Sequence, residues 1–186
     1  IKRQAGLASI TRPERTIVHK KDGMPGPKYG KVMPVETPDH VVGIIEFANG
    51  CAGQIITSFA TRGASYDGKS PIVIYGTEGT IRVGDPNGFD REVYLCRFEE
   101  GKNDDFVEVP HTFVKGYGRS VGLADMAYAI RSGRPHRASG DLAFAVLDSM
   151  LGFLDSSKSG QFHTPSASFE MPRLMPAPLP FGTLDE

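Results

Sequence analysis

His40–Phe47 (HVVGIIEF) and Cys51–Phe59 (CAGQIITSF) are two apolar, strand-like runs with only Ala48-Asn49-Gly50 between them. Asn-Gly supplies the positive φ of a tight hairpin turn. A connection this short cannot return the chain to start a parallel neighbour, so the two strands must pair antiparallel. The same reasoning applies further along. Pro71–Gly76 and Thr80–Val83 meet across Gly76-Thr77-Glu78-Gly79. Glu92–Phe98 and Phe106–Val109 meet across the charged loop EEGKNDD. With Ile1–Ile10 as a further strand, the chain reads as an antiparallel meander of six or seven strands. Residues 11–38 are rich in Pro, Gly and charge and read as a long surface excursion, with a short strand near Thr16–His19.

The period then changes. Leu123, Met126, Ala127 and Ile130 recur at helical spacing and end at Gly133. Leu142, Val146, Leu147, Met150, Leu151 and Leu154 form a second, stronger stripe, with Ser139 or Asp141 to cap its start and Gly160 to close it. Strands first and helices after predict an α+β fold: one open, mostly antiparallel sheet with both helices on one face. Residues 1–162 are expected to form this domain. Residues 163–186, which include the proline-rich MPRLMPAPLPF, are expected to be an extension lying along the surface.

A sheet covered on one side should alternate apolar and polar residues. These strands do not. Val41, Ile45 and Phe47 point one way, and Val42 and Ile44 the other. Ile55 and Phe59 oppose Ala52 and Ile56, and IVIY is apolar on both faces. Two helices cover one side, so the second face is expected to pack on a partner chain or another domain.

The chain has 186 residues, 39% hydrophobic and 23% charged, which suffices for a core. A formal net charge of −1 gives no pull toward nucleic acid or anionic lipid, and no run is long and apolar enough to cross a bilayer. Cys51 and Cys96 lie in strand-like runs and read as buried, reduced thiols of a cytoplasmic protein. The five histidines are scattered without zinc spacing, so no metal is expected. The sequence opens mid-strand on Ile1, and the expectation is that something upstream was removed or that this is one part of a longer polypeptide.

Lys115-Gly116-Tyr117-Gly118-Arg119-Ser120-Val121-Gly122 resembles a dinucleotide-binding turn, yet Val121 stands where the third glycine belongs and a helix, not a strand, follows. It is read as a flexible helix entry that binds no cofactor. Arg131, Arg134, His136 and Arg137 form a basic run read as a solvated loop complementing the helix end. Asp125 and Asp148 lie on different helices and make no evident carboxylate pair. His111, Tyr117 and Arg119 share a glycine-flexed segment that joins sheet to helix, where a pocket has room to open. They are the candidate substrate-binding residues.

The order of IYGTEGTIRV, DPNGF and RSVGLADMAYAIRSGRPHRASGDLAFAVLDSMLGFLDSSKSG resembles the C-terminal half of the glucose-fructose oxidoreductase / inositol dehydrogenase / MocA (Gfo/Idh/MocA) family. VETPDHVVGIIEFANGCAGQIITSFAT is similar to the family's central strand pair, and the likeness runs from about Ile1 to Gln161. It implies a sheet domain like the C-terminal domain of dihydrodipicolinate reductase. It also implies a parent enzyme with an N-terminal Rossmann domain carrying NAD or NADP, a catalytic lysine from Glu-Lys-Pro, and an Asp…His pair on a helix. The outer sheet face would build dimers or tetramers. This sequence holds no Rossmann glycine turn and no Glu-Lys-Pro, so no catalytic residue is assigned. The expected role is the substrate-binding and oligomerisation domain of an NAD(P)-dependent sugar or polyol dehydrogenase, not catalytic alone. The alternative is a stand-alone interaction or ligand-binding module without redox activity.

Overall fold

The computed structural model describes residues 1–61, 71–99, 105–111, 116–176 and 180–184. Its elements in chain order are β1 (Arg3–Ser9), β2 (Glu14–Thr16), β3 (Lys20–Lys21), β4 (Met24–Pro25), β5 (Val32–Pro34), β6 (His40–Glu46), β7 (Ala52–Ser58), β8 (Ile72–Tyr75), β9 (Gly79–Val83), β10 (Val93–Arg97), β11 (Val107–Val109), α1 (Val121–Ser132) and α2 (Gly140–Ser159). All described strand pairs are antiparallel. The α+β class expected from the short connections is the class found. The strands divide, however, into a three-stranded sheet, β1-β6-β7, and a four-stranded sheet, β11-β10-β9-β8, rather than one continuous meander among the described residues. The helices divide with them. Ile1–Arg62 with Gly140–Glu170 form one compact unit and Gly63–Ser139 with Met171–Glu186 another, so α2 belongs to the first and α1 to the second.

In the first unit, α2 packs on β1. Gly6 and Gly43 are direct cross-strand partners, and both lie under Phe153 of α2. A Cβ on Gly43 would come within 2.6 Å of Phe153 Cδ1, so two facing glycines set how closely the helix approaches. The outer edge of β1 has no strand beside it, but its amides are not left open. Gly6 N–H donates to Ser156 Oγ (3.1 Å) and Ala8 N–H to Ser157 Oγ (2.9 Å). Gln4 N–H donates to the His163 carbonyl (2.9 Å), which makes Gln4↔His163 an isolated bridge. The fully buried Gln4 side chain donates Nε2 to the Ser149 carbonyl.

The helix stripes are where the sequence misleads. In α2 the buried residues are Ala145, Gly152, Phe153 and Ser156, whereas Val146, Leu147, Met150 and Leu151 of the expected stripe are exposed. In α1 Asp125 and Ala129 are buried, while Leu123, Met126 and Ile130 are exposed. Small residues and serines win in α2 because the strand beneath offers glycines and unpaired amides rather than a broad apolar floor. Both helix ends behave as read: Gly133 (φ 73°) and Gly160 (φ 70°) adopt the left-handed cap conformation.

Residues 11–38 are more ordered than a loop. β2 pairs with β5 and β3 with β4, and Asp22 (φ 50°) and Gly23 (φ 78°) together make the tip of this ribbon. Asp39 ties its base to the sheet, accepting from Thr11 N–H (2.8 Å), Thr11 Oγ1 (2.9 Å) and Arg15 Nη2 (2.8 Å). Both cysteines are free. Cys96 is buried as expected, but Cys51 is exposed beside the hairpin turn.

Gly6 and Gly43 face α2, so their strand neighbours Leu7, Val42 and Ile44, and Ile56 opposite Val42, face the other way. That face is open: Leu7 is 74% exposed, Ile56 65% and Ile44 55%. Phe162, next to the bridged His163, lies on this side under the Arg3 guanidinium, 4.5 Å from its ring centroid.

Candidate functional site

The three residues nominated from the sequence lie in the second unit, before or at the entry to α1. Residues 112–115, including Lys115 of the glycine-flexed segment, fall outside the described residues. Gly116 has φ 99°, a conformation that side chains rarely adopt, and α1 begins at Val121 with Gly122 in its first turn. Tyr117 therefore sits between two glycines. Its ring stacks on Phe181, with centroids 4.9 Å apart and planes 16° from parallel, and its Oη accepts from Gly182 N–H (3.1 Å). Arg119 donates Nη2 to Oδ1 of Asn87. Asn87 belongs to a turn that Asp85 closes by accepting from the Asn87 N–H (2.9 Å) through its side chain and from the Gly88 N–H (3.0 Å) through its carbonyl. His111 is half-buried, and its Nε2 is buried without a hydrogen-bond partner.

Tyr117 and Arg119 are thus anchored to different neighbours, and His111 shares no hydrogen bond with either. Two of those neighbours escaped sequence reading. Asn87 lies in the DPN loop, where Asp85 makes the Asx turn and no pattern singles out Asn87 itself. Phe181 lay in a proline-rich tail that carries no periodic signal.

The basic run past α1 has a definite task. Buried Asp125 accepts from Arg134 Nη2 (2.7 Å), from the Arg137 main-chain N–H (2.7 Å) and from Arg137 Nη1. Burial pushes the Asp125 carboxyl up, but Arg134 and both Arg137 donors outweigh it and hold the group below the usual carboxylate range. Asp148, on α2, accepts from Ala167 N–H (2.9 Å) and Ser166 N–H (2.7 Å), which together lower its pKa. Each aspartate therefore organises its own surroundings.

A cavity of about 370 Å³ lies in the first unit at the edge of β1. Leu7, Val42, Ile44 and Phe162 line its apolar side and Ser156 and Ser157 its rim. Both serine hydroxyls are already committed to β1 amides. All strand pairs among the described residues are antiparallel, and α1 leads to another helix, so they build no β-α-β cradle for a pyrophosphate.

Residues 13–165 match the oxidoreductase family's C-terminal alpha/beta domain, the Gfo/Idh/MocA C-terminal domain. The chain belongs to this family. Solved structures carry the same fold as this Gfo/Idh/MocA domain. An oxidoreductase domain protein from Kribbella flavida superimposes with a TM-score of 0.65 at 18% identity, over 88% of this chain and 45% of that one. Levoglucosan dehydrogenase in complex with NADH and L-sorbose gives 0.65 at 19% identity, over 89% and 46%. Aldose-aldose oxidoreductase from Caulobacter crescentus, complexed with glycerol, gives 0.57 at 12% identity, over 88% and 41%. The domain therefore spans less than half the length of these relatives. Comparison with curated proteins gave no match.

Proposed function

We propose that this domain is the substrate-binding and assembly half of an NAD(P)-dependent sugar or polyol dehydrogenase. One observation carries the reading: a Gfo/Idh/MocA C-terminal match over residues 13–165 in a chain less than half as long as structural relatives that include a dehydrogenase with bound NADH. The parent would transfer hydride between the nicotinamide and an alcohol carbon. Its N-terminal Rossmann domain would supply the cofactor and the base, because hydride transfer needs both held against one carbon. Residues 1–162 are the proposed domain and 163–186 a C-terminal extension, parts of which, His163 and Leu184, are seated in the fold, and His111, Tyr117 and Arg119 line the proposed pocket rim. The open face bearing Leu7, Ile44 and Ile56 supports a homodimer or tetramer built through that sheet. The site of action is proposed as cytoplasmic. No helix among the described residues is long and apolar enough to cross a membrane.

The test is NAD(P)H absorbance with the full-length gene product over a panel of sugars and polyols. His111→Ala, Tyr117→Phe and Arg119→Ala, each deleting a hydrogen-bonding group, are expected to raise the substrate KM by about tenfold and leave the nucleotide KM unchanged. Turnover of no sugar or polyol with either nucleotide would defeat the proposal, and sugar binding without nucleotide binding would favour a ligand-binding module.

A further inference from the structure

The segment Pro180–Leu184 sits among proline-rich residues, yet it is firmly seated. Leu184 is 1% exposed, among the most deeply buried side chains described. Both main-chain polar groups of Gly182 end on tyrosine hydroxyls: its N–H donates to Tyr117 Oη (3.1 Å), and its carbonyl accepts from Tyr128 Oη (3.1 Å). Gly182 has φ 84°, so the turn that brings its peptide between the two hydroxyls depends on glycine. Phe181 completes the contact through its stack on Tyr117. Upstream, Arg137 donates Nε to the Arg173 carbonyl (3.0 Å) while it also holds Asp125 of α1, so the same tail is tied down twice.

We propose that Phe181 and the Gly182 peptide position Tyr117 for the sugar or polyol substrate, which makes them positioning residues of the pocket. The inference rests on Tyr117 belonging to the pocket rim. Tyr117 lies between Gly116 and Gly118, and a Cβ on Gly118 would meet nothing within 4 Å. The contacts made by the ring and by its hydroxyl, the Phe181 stack and the Gly182 N–H, both come from the tail. The tail also decides what the hydroxyl offers. Gly182 N–H occupies an acceptor lone pair of Oη, which leaves the phenolic proton free to donate to a substrate oxygen. Without Phe181 the side chain would have to be ordered at each binding event, a loss of roughly two- to twelvefold in affinity.

The experiment compares Phe181→Ala, Phe181→Tyr and Tyr117→Ala in the full-length enzyme. It follows kcat, the KM of the best sugar or polyol, the KM of NAD(P), and hydrogen exchange at the Gly182 amide. Phe181→Ala is expected to raise the sugar KM by roughly two- to twelvefold, with kcat and the nucleotide KM unchanged and faster exchange at Gly182. Phe181→Tyr, which keeps the ring, is expected to preserve all of these. If Tyr117→Ala raises the sugar KM and Phe181→Ala does not, the positioning role falls and the rim reading stands. An unchanged sugar KM in Tyr117→Ala overturns both, and an equal rise in the nucleotide KM overturns the positioning role as general loosening. Should Phe181→Ala fail to fold, Phe181→Leu, which keeps bulk without a ring, takes its place under the same criteria.

Discussion

Asp39 joins the ribbon to the sheet with one carboxylate. Its main chain takes part as well: its N–H donates to the Ser9 carbonyl (3.0 Å) and its carbonyl accepts from Phe59 N–H (2.8 Å). The Thr11 main-chain N–H does most to lower its pKa, with Arg15 and the Thr11 hydroxyl adding to it against the opposing effect of burial. The result is about 2, against an ordinary 3.8. A carboxylate depressed by folding stabilises the folded state fully above its unfolded pKa, and that contribution disappears as pH falls through the folded value. Stability should therefore drop between about pH 4 and pH 2. Asp39→Asn should be less stable at neutral pH and show a flatter acid limb in denaturant melts; an acid limb as steep as the parent's would refute this. Asp39 stood in the sequence as one more acid in a Pro-rich stretch. Its partners are set by the ribbon's pairing, which the Asp22-Gly23 signal could have announced.

At the scale of elements, β1 solves the problem of an edge strand without a neighbour. Alternate amides along such an edge invite pairing with another chain. Here two consecutive serines in the last turn of α2 accept those protons, and Ser156 Oγ also donates to the Gln161 carbonyl (2.6 Å). Ser156→Ala would leave the Gly6 N–H without its acceptor, at a cost of about 1–3 kcal/mol. Amide exchange should then quicken at Gly6 and less at Ala8, whose acceptor is Ser157; equal quickening would count against a local effect. The antiparallel pairs were legible because turn chemistry and connection length decide them locally. The working face of α2 was not. A hydropathy stripe favours Val146, Leu147, Met150 and Leu151, whereas helix docking here follows cross-strand glycines and amides, whose positions appear only once β1 and β6 are in register.

At the largest scale, the first unit carries apolar side chains on the side of its sheet away from α2. The lack of strand alternation pointed to that face, and the exposure of Leu7, Ile44 and Ile56 agrees with it. If copies of the parent meet there, Ile56→Lys should lower the mass seen by light scattering from dimer or tetramer toward monomer. An unchanged assembly would place the contact elsewhere. Of the proposed rim the sequence showed only a flexed segment, since Phe181 and Gly182, which contact Tyr117, lie far along the chain and announce themselves by no repeat. Beside β1, the segment carrying the Gln4↔His163 bridge follows the two-residue alternation of a strand. Phe162 goes to the open side under Arg3, and His163 goes to the α2 side, 3.5 Å from Asp148 Oδ1. A slip of one position would send the aromatic ring toward Asp148 and the imidazole to the open side. One register thus places both the ring on the open side and the imidazole beneath the helix.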